Sequence, residues 1–318
     1  MIQVYCSGNL VADVQAKTLT QFPGLDEVAI VDEIELVLGG NASNAAVCLA
    51  RVGVPTAVIG RIGDDFFGQF VRGALADAGV DTALMLAAKG AKTAATVAAI
   101  APQGRRRCAH VPAATAQFTG QDFNWDALAQ NRAAVPANLP VFLHFGSFFL
   151  LPGFDGPATA QVLAKARRAG LQTSLDVCWD PNGRWAADLA PCLEFCDITF
   201  PNLTEAQHIT NRRDPDEMAQ WFLDQGVGIA VVKLGDAGCL VKTAHERVRV
   251  PGYPVQVVDA TGAGDAFAAG FLAARVWGWD LERTARFACA LAGISVTGFG
   301  VATALESKAQ VLALMGGG

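Results

Sequence analysis

Val258-Asp259-Ala260-Thr261-Gly262-Ala263-Gly264-Asp265-Ala266-Phe267-Ala268-Ala269-Gly270-Phe271 reads as the end of an extended segment, a turn of small residues, and a helix with apolar positions at Phe267, Phe271 and Leu272. Small residues from Thr261 to Gly264 leave backbone N–H groups uncovered, where a helix start has donors without intrahelical partners. Bare amides and the helix dipole together favour an anion there. Asp265 would normally repel a phosphate from such a turn. Its presence makes sense for a base that takes a proton from a nucleophile while the amides hold charge developing on a transferring phosphoryl group. That is the arrangement of a kinase outside the P-loop class. The competing reading is a glycine-rich strand-to-helix turn in which Asp265 only caps the helix.

Outward from this stretch, short apolar runs alternate with helical patterns. Ile2–Ser7, Thr56–Ile59, Val141–Phe145, Gln172–Val177, Ile198–Phe200 and Ile229–Leu234 read as buried strands. Ser43–Val52, Phe67–Ala78, Trp125–Ala134, Pro157–Ala169 and Met218–Gln225 read as helices. The alternation predicts an α/β fold: a doubly wound, mostly parallel sheet with helices on both faces. Val28–Leu38, Thr93–Ile100 and Arg106–Val111 break the rhythm, the last two joined by a Pro102-Gln103-Gly104 turn. These segments are expected to form a small β-sheet lid, discontinuous in sequence (about 10–38 and 90–112), over a single domain spanning 1–318. The Gly316-Gly317-Gly318 tail is expected to fray.

Composition narrows the function classes. Of 318 residues, 52% are hydrophobic and 17% charged, with a formal net charge of −6, which argues against a general nucleic-acid or membrane-surface binder. The short Arg105-Arg106-Arg107 run reads as solvated loop or strand. No basic segment followed by a long apolar run opens the chain, and the apolar stretches are too short to span a bilayer, so a cytoplasmic location is expected. The eight cysteines read as buried free thiols in a reducing compartment; neither Cys192 with Cys196 nor the four histidines show zinc-ligand spacing.

Gly39-Gly40-Asn41-Ala42-Ser43-Asn44-Ala45-Ala46 is the second strong signal. Its glycines end a strand and Asn44 falls in the first turn of a helix. A buried Asn presents a donor and an acceptor, which suits a vicinal diol, and glycine lets a polyol approach the backbone. An ordinary tight turn with a local Asn cap is the alternative.

With these elements the chain resembles the ribokinase-like, or PfkB, carbohydrate kinase family, from Ser7 to about Leu305. The resemblance implies a doubly wound α/β domain with a β lid, and transfer of the γ-phosphoryl of ATP to a hydroxymethyl group of a sugar or related polyol. It implies that Asp265 is the base and that the amides of Gly262, Ala263 and Gly264 form the anion hole. Asp13, Gly39, Gly40 and Asn44 resemble the family's sugar contacts, although Asn9 stands where many relatives carry an acidic residue. Asn202-Leu203-Thr204-Glu205 matches an N-x-x-E element, implying Mg²⁺ held through water near Glu205; the same residues also fit a helix-capping arrangement. Lys233-Leu234-Gly235-Asp236-Ala237-Gly238 resembles the nucleotide-phosphate loop, with Lys233, Gly235, Gly238 and Thr261 on the nucleotide. Asp259 and Thr261 resemble a monovalent-cation loop for K⁺, with carbonyls expected near Val296 to Gly300. A homodimer through the lid is expected, with no nucleic-acid or membrane partner.

Asp176-Val177-Cys178-Trp179-Asp180-Pro181-Asn182-Gly183-Arg184 resembles the D-x-N-x-R element of fructokinases and 2-keto-3-deoxygluconate kinases, aligned either on Asp176 or on Asp180, Asn182 and Arg184. Arg184 in the site would clamp a carboxylate of a sugar acid; otherwise it is a surface ion pair. A nucleoside kinase, with Phe118, Phe148 or Trp179 as a stacking wall, and a non-catalytic sugar sensor are the other readings.

Overall fold

In a computed structural model, which describes residues 1–101 and 106–316, apolar residues alternate between opposite faces of one large sheet. Val4 and Cys6 of β1 (Val4–Ser7), Val58 of β4 (Thr56–Gly63) and Val231 of β11 (Ile229–Lys233) enter one core. Tyr5, Ala57, Ile59, Ala230 and Val232, their chain neighbours, enter the other. This is the period of a strand covered on both sides.

The first core is closed by α1 (Asn41–Arg51), α2 (Phe66–Asp77), α8 (Ala263–Val276), α9 (Leu281–Ser295) and α10 (Lys308–Gly316). The second is closed by α3 (Trp125–Ala134), α4 (Gly156–Arg168), α5 (Ala186–Leu193), α6 (Leu203–Thr210) and α7 (Pro215–Asp224). The remaining strands of this sheet are β5 (Met85–Ala88), β8 (Phe142–Phe148), β9 (Gln172–Val177), β10 (Ile198–Thr199), β12 (Cys239–Lys242) and β13 (Arg247–Val250). Their spatial order is β13-β12-β11-β10-β9-β8-β1-β4-β5, parallel except that β12, next to one edge, runs antiparallel to both β11 and β13. From β1 the chain passes to β4 on one side and later returns to β8 on the other. In such sheets the carboxyl ends of the strands at that reversal form a binding crevice.

A second sheet, ordered β3-β2-β6-β7, is built from β2 (Val11–Lys17), β3 (Glu33–Gly39), β6 (Ala95–Ile100) and β7 (Arg106–Val111). It is the lid read from the sequence, with shifted boundaries. Val28 to Asp32 are not strand, because β2 ends at Lys17, opposite Glu33, and the chain turns away at Thr18 (φ 61°). Thr93 stays outside β6 because its hydroxyl accepts from Gly63 N and donates to Asp65 Oδ1, tying it to the start of α2. The expected Pro102-Gln103-Gly104 turn and the last two glycines lie outside the described residues. No helix among the described residues is long and apolar enough to cross a membrane.

Candidate active site

The turn quoted above lies where the sheet's reversal leads one to look. Gly262 caps α8 in the left-handed region (φ 74°), and a side chain there would press on Val301 and on Asn44 Nδ2 at 3.0 Å. Only glycine suits both the angle and the contact. Thr261 to Gly264 are half-buried, leaving the turn open on one side; Ala263 N donates to Ala260 O at 3.3 Å. Asp265 follows, 6% exposed. Asn41 Nδ2 donates to its Oδ1 at 2.7 Å and Asn44 Nδ2 to its Oδ2 at 2.8 Å. Asn44 thus stands beside Asp265 as well as beside the glycine turn. Asn41, within the quoted Gly39–Ala46 stretch, was not singled out by sequence reasoning. The available signal was its spacing of one helical turn from Asn44.

Asp13 projects from β2 and is buried; any side chain at Gly39 would run into its carboxylate. Gly40 begins α1 and packs against the backbone of Asn9. Asn9 Oδ1, Asn44 Oδ1 and Gln15 Oε1 are buried acceptors with no hydrogen-bond partner among the described residues. Gln15 shares a face of β2 with Asp13, and His110 pairs with Thr96 across from it at 3.1 Å. Burial lowers the His110 pKa although Asp13 pulls it upward.

Lys233, at the end of β11, reaches this turn: a methyl group on Gly264 would lie 3.0 Å from its Nζ. Its ammonium bonds both oxygens of Asp176, at 2.8 and 3.0 Å, with the side chains 12% and 2% exposed. Burial alone would lower the Lys233 pKa, but the Asp176 and Glu205 carboxylates raise it above its ordinary value. Burial pushes Asp176 up to about 7 against the pull of Lys233, with Glu205 and Asp265 adding to the rise. Lys233 is therefore a fixed cation beside the glycine turn.

Asn202 and Glu205 form a capping box: Glu205 N donates to Asn202 Oδ1 at 2.9 Å and Asn202 N to Glu205 Oε2 at 2.8 Å. Burial raises the Glu205 pKa, partly offset by Lys233. The capping reading of this element is thus what the structure shows, and the capping carboxylate also lies within electrostatic reach of Lys233. Gly235 and Gly238 bracket a short turn after β11, both at positive φ, with Leu234 N donating to Gly238 O at 2.8 Å. Asp259 Oδ1 accepts from Thr261 N at 2.9 Å and Oδ2 from Gly300 N at 3.2 Å, while its own N donates to Val296 O at 3.2 Å. The Val258–Thr261 and Val296–Gly300 segments are thereby closed against each other.

The Asp176–Arg184 segment divides. Asp176 faces Lys233, while Asp180 is structural: it accepts from Asn182 N at 2.8 Å and Trp185 N at 2.6 Å. Arg184 is 63% exposed and paired with Asp188, so the structure places it on the surface and not with Lys233 and Asp265. Of the aromatic residues weighed as a base-stacking wall, Phe118 and Phe148 are core; Trp179 alone is exposed, at 56%, edge-on to Trp185 and His208. Among the described residues no three His, Cys, Asp or Glu side chains cluster to hold a metal.

Residues 1–308 match the model of the pfkB family of carbohydrate kinases. The chain belongs to that family. It is therefore a sugar kinase, a phosphotransferase with an alcohol group as acceptor. It is 29% identical to a fructokinase of Solanum tuberosum, over 88% of this chain and 86% of that one. It is 30% identical to the aminoimidazole riboside kinase of Salmonella typhimurium, over 86% of each. The structure of a Xylella fastidiosa fructokinase with bound ATP superposes with a TM-score of 0.83 at 25% identity, covering 100% of this chain and 99% of that one.

Proposed function

We propose that this family member transfers the γ-phosphoryl of ATP to a hydroxymethyl group of a neutral free sugar. The observation that carries this is the placement of Asp265, clamped by two carboxamides, between the open glycine turn with Lys233 on one side and the Asn44–Gly39–Asp13 group on the other. In that frame the Asp265 carboxylate takes the acceptor's hydroxyl proton as the oxygen bonds to the γ-phosphorus. The bond to the bridging oxygen breaks and ADP leaves. The amides of Gly262, Ala263 and Gly264 with Lys233 hold the charge on the transferring group, the dominant demand in phosphoryl transfer. Asn202, Gly235, Gly238 and Thr261 flank the nucleotide on this reading.

Magnesium, when bound with the nucleotide, neutralises its phosphate oxygens, and Glu205 fits as a partner through water because its Oε2 is already bonded to Asn202 N. For K⁺, the fitting feature is the closed Asp259–Thr261 and Val296–Gly300 loop pair, whose backbone carbonyls are the donor type that ion prefers. The small sheet acts as a lid over the sugar, excluding water. Its outer face exposes Ile34, Val97 and Val111, and the preceding loop exposes Leu25, Val28 and Ile30, which favours pairing with a second copy. Light scattering should return twice the chain mass; a single-chain mass would rule that pairing out.

Neutral sugars are favoured over sugar acids because the side-chain oxygens of Asn9, Gln15 and Asn44 are buried acceptors and Asp13 is a carboxylate, which suits hydroxyl donors. Three basic residues already carry carboxylate partners: Arg184 with Asp188, Lys233 with Asp176, and Lys17 with Glu33 and Glu35. A panel of ketoses, aldoses, 2-keto sugar acids and nucleosides tests the choice. Fructose- or ribose-type sugars should exceed acids and nucleosides in kcat/KM by orders of magnitude, as expected of a site built to bond hydroxyls. Arg184→Ala should leave that ranking unchanged. A sugar acid as best substrate, weakened by Arg184→Ala, would contradict the neutral-sugar reading and return Arg184 to the site.

A further inference from the structure

Asp265 is held at both oxygens, by Asn41 on Oδ1 and Asn44 on Oδ2. A carboxylate bonded at one oxygen can rotate about its side-chain torsion. Bonded at both, it presents a fixed plane. Asn41 is itself oriented: Ser147 Oγ donates to its Oδ1 at 2.7 Å, and the Cys178 thiol reaches the same oxygen at 3.5 Å. With Oδ1 receiving a hydroxyl, the Asn41 amide must turn its Nδ2 toward Asp265. Ser147 is held in turn, since its Oγ accepts from Asn9 N at 3.3 Å.

Ser147 is fully buried and lies at φ 66°, in the irregular stretch between Phe145 and Phe148 where β8 loses register with β9. A non-glycine residue in that region is strained, and such strain persists only where the surroundings impose it. Here it aims a hydroxyl at Asn41. The chain of contacts runs from the end of β1 through β8 and the first turn of α1 to the start of α8, crossing the crevice.

We propose that Asn41, oriented by Ser147, is a positioning residue that sets the plane of the Asp265 carboxylate against the acceptor hydroxyl. The proposal rests on the reading of Asp265 as the base. Ser147 acts only through Asn41, and neither residue exchanges a proton in the reaction.

The test is steady-state kinetics, with ATP and whichever of fructose or ribose is turned over faster, on Asn41→Ala, Ser147→Gly, their double variant and Asp265→Asn. Glycine is relaxed at the Ser147 backbone angle, so Ser147→Gly removes the hydroxyl without endangering the fold. Asn41→Ala should lower kcat by about 10²-fold, the scale of misplacing a reacting group by an ångström, with both KM values unchanged. Ser147→Gly should lower kcat by roughly tenfold, and the double variant should match Asn41→Ala alone, because groups acting as a unit are non-additive. A raised sugar KM with kcat kept in Asn41→Ala would make Asn41 a sugar contact and overturn the proposal. A double variant whose loss is the product of the single losses would overturn the Ser147 link. If Asp265→Asn is inactive while Asn41→Ala keeps kcat, only the positioning role fails. If Asp265→Asn stays active, the base assignment fails with it.

Discussion

Asp265→Asn should abolish nearly all phosphoryl transfer while leaving the fold and sugar affinity close to those of the wild type. Asparagine has nearly the same shape and keeps one acceptor oxygen for one of the two amide donors that Asp265 receives from Asn41 and Asn44. It cannot accept the hydroxyl proton. Loss of a general base costs about 10²–10⁴ in rate. The fold survives because Asp265 lies in the first turn of α8, whose packing depends on Phe267, Phe271 and the alanines beyond it. Kinetics and calorimetric sugar titration of one preparation check both halves. A variant with near wild-type kcat would remove Asp265 from the chemistry, whereas a variant that lost sugar binding as well would make it a substrate contact.

Lys233→Met should damage stability and turnover together, for separable reasons. The Lys233–Asp176 pair is buried and bonded through both carboxylate oxygens. Removing one partner of such a pair costs about 3–5 kcal/mol, because the other is left without compensation. Asp176, already raised to about 7, would climb further without the ammonium. A carboxylate whose folded pKa is raised loses stability as the pH rises, so the deficit should be smaller at about pH 6 than at about pH 8. Adding Asp176→Leu should restore melting temperature, since an apolar replacement of a whole buried pair is tolerated. It should not restore kcat, which is expected to stay lowered by about 10²–10³ for want of the cation beside Gly264. Recovery of activity with stability would show that Lys233 serves the fold alone.

The large sheet was legible because its strands are buried on both faces and read as continuous apolar runs, as in Val141–Phe145 and Ile229–Leu234. Strand β2 was not, since its inward positions are Asp13, Gln15 and Lys17: the polar face looks into the molecule and inverts the usual alternation. The edge hairpin β12–β13 and short β5 were missed because their few residues carry too little periodicity. At the candidate site, Asp265, Asn44 and the glycines are close in sequence to motifs with a mechanism. Asn41 and Ser147 bear on Asp265 only through contacts across 224 and 106 residues of chain, which no local pattern encodes. The ambiguity of Asp176 against Asp180 was likewise one of three-dimensional direction. One ends β9 facing Lys233; the other folds back onto the amides of its own turn.

The fate of the phosphoryl group separates sugar phosphorylation from ATP hydrolysis. Phosphorus NMR of the protein with ATP and fructose or ribose should show ADP appearing in step with one new phosphomonoester, coupled to the protons of a sugar CH₂ group. Without sugar, both signals should be absent over the same interval. ATP consumed at the same rate without sugar, with inorganic phosphate as the only product, would contradict transfer to a hydroxymethyl group at the Asp265 crevice.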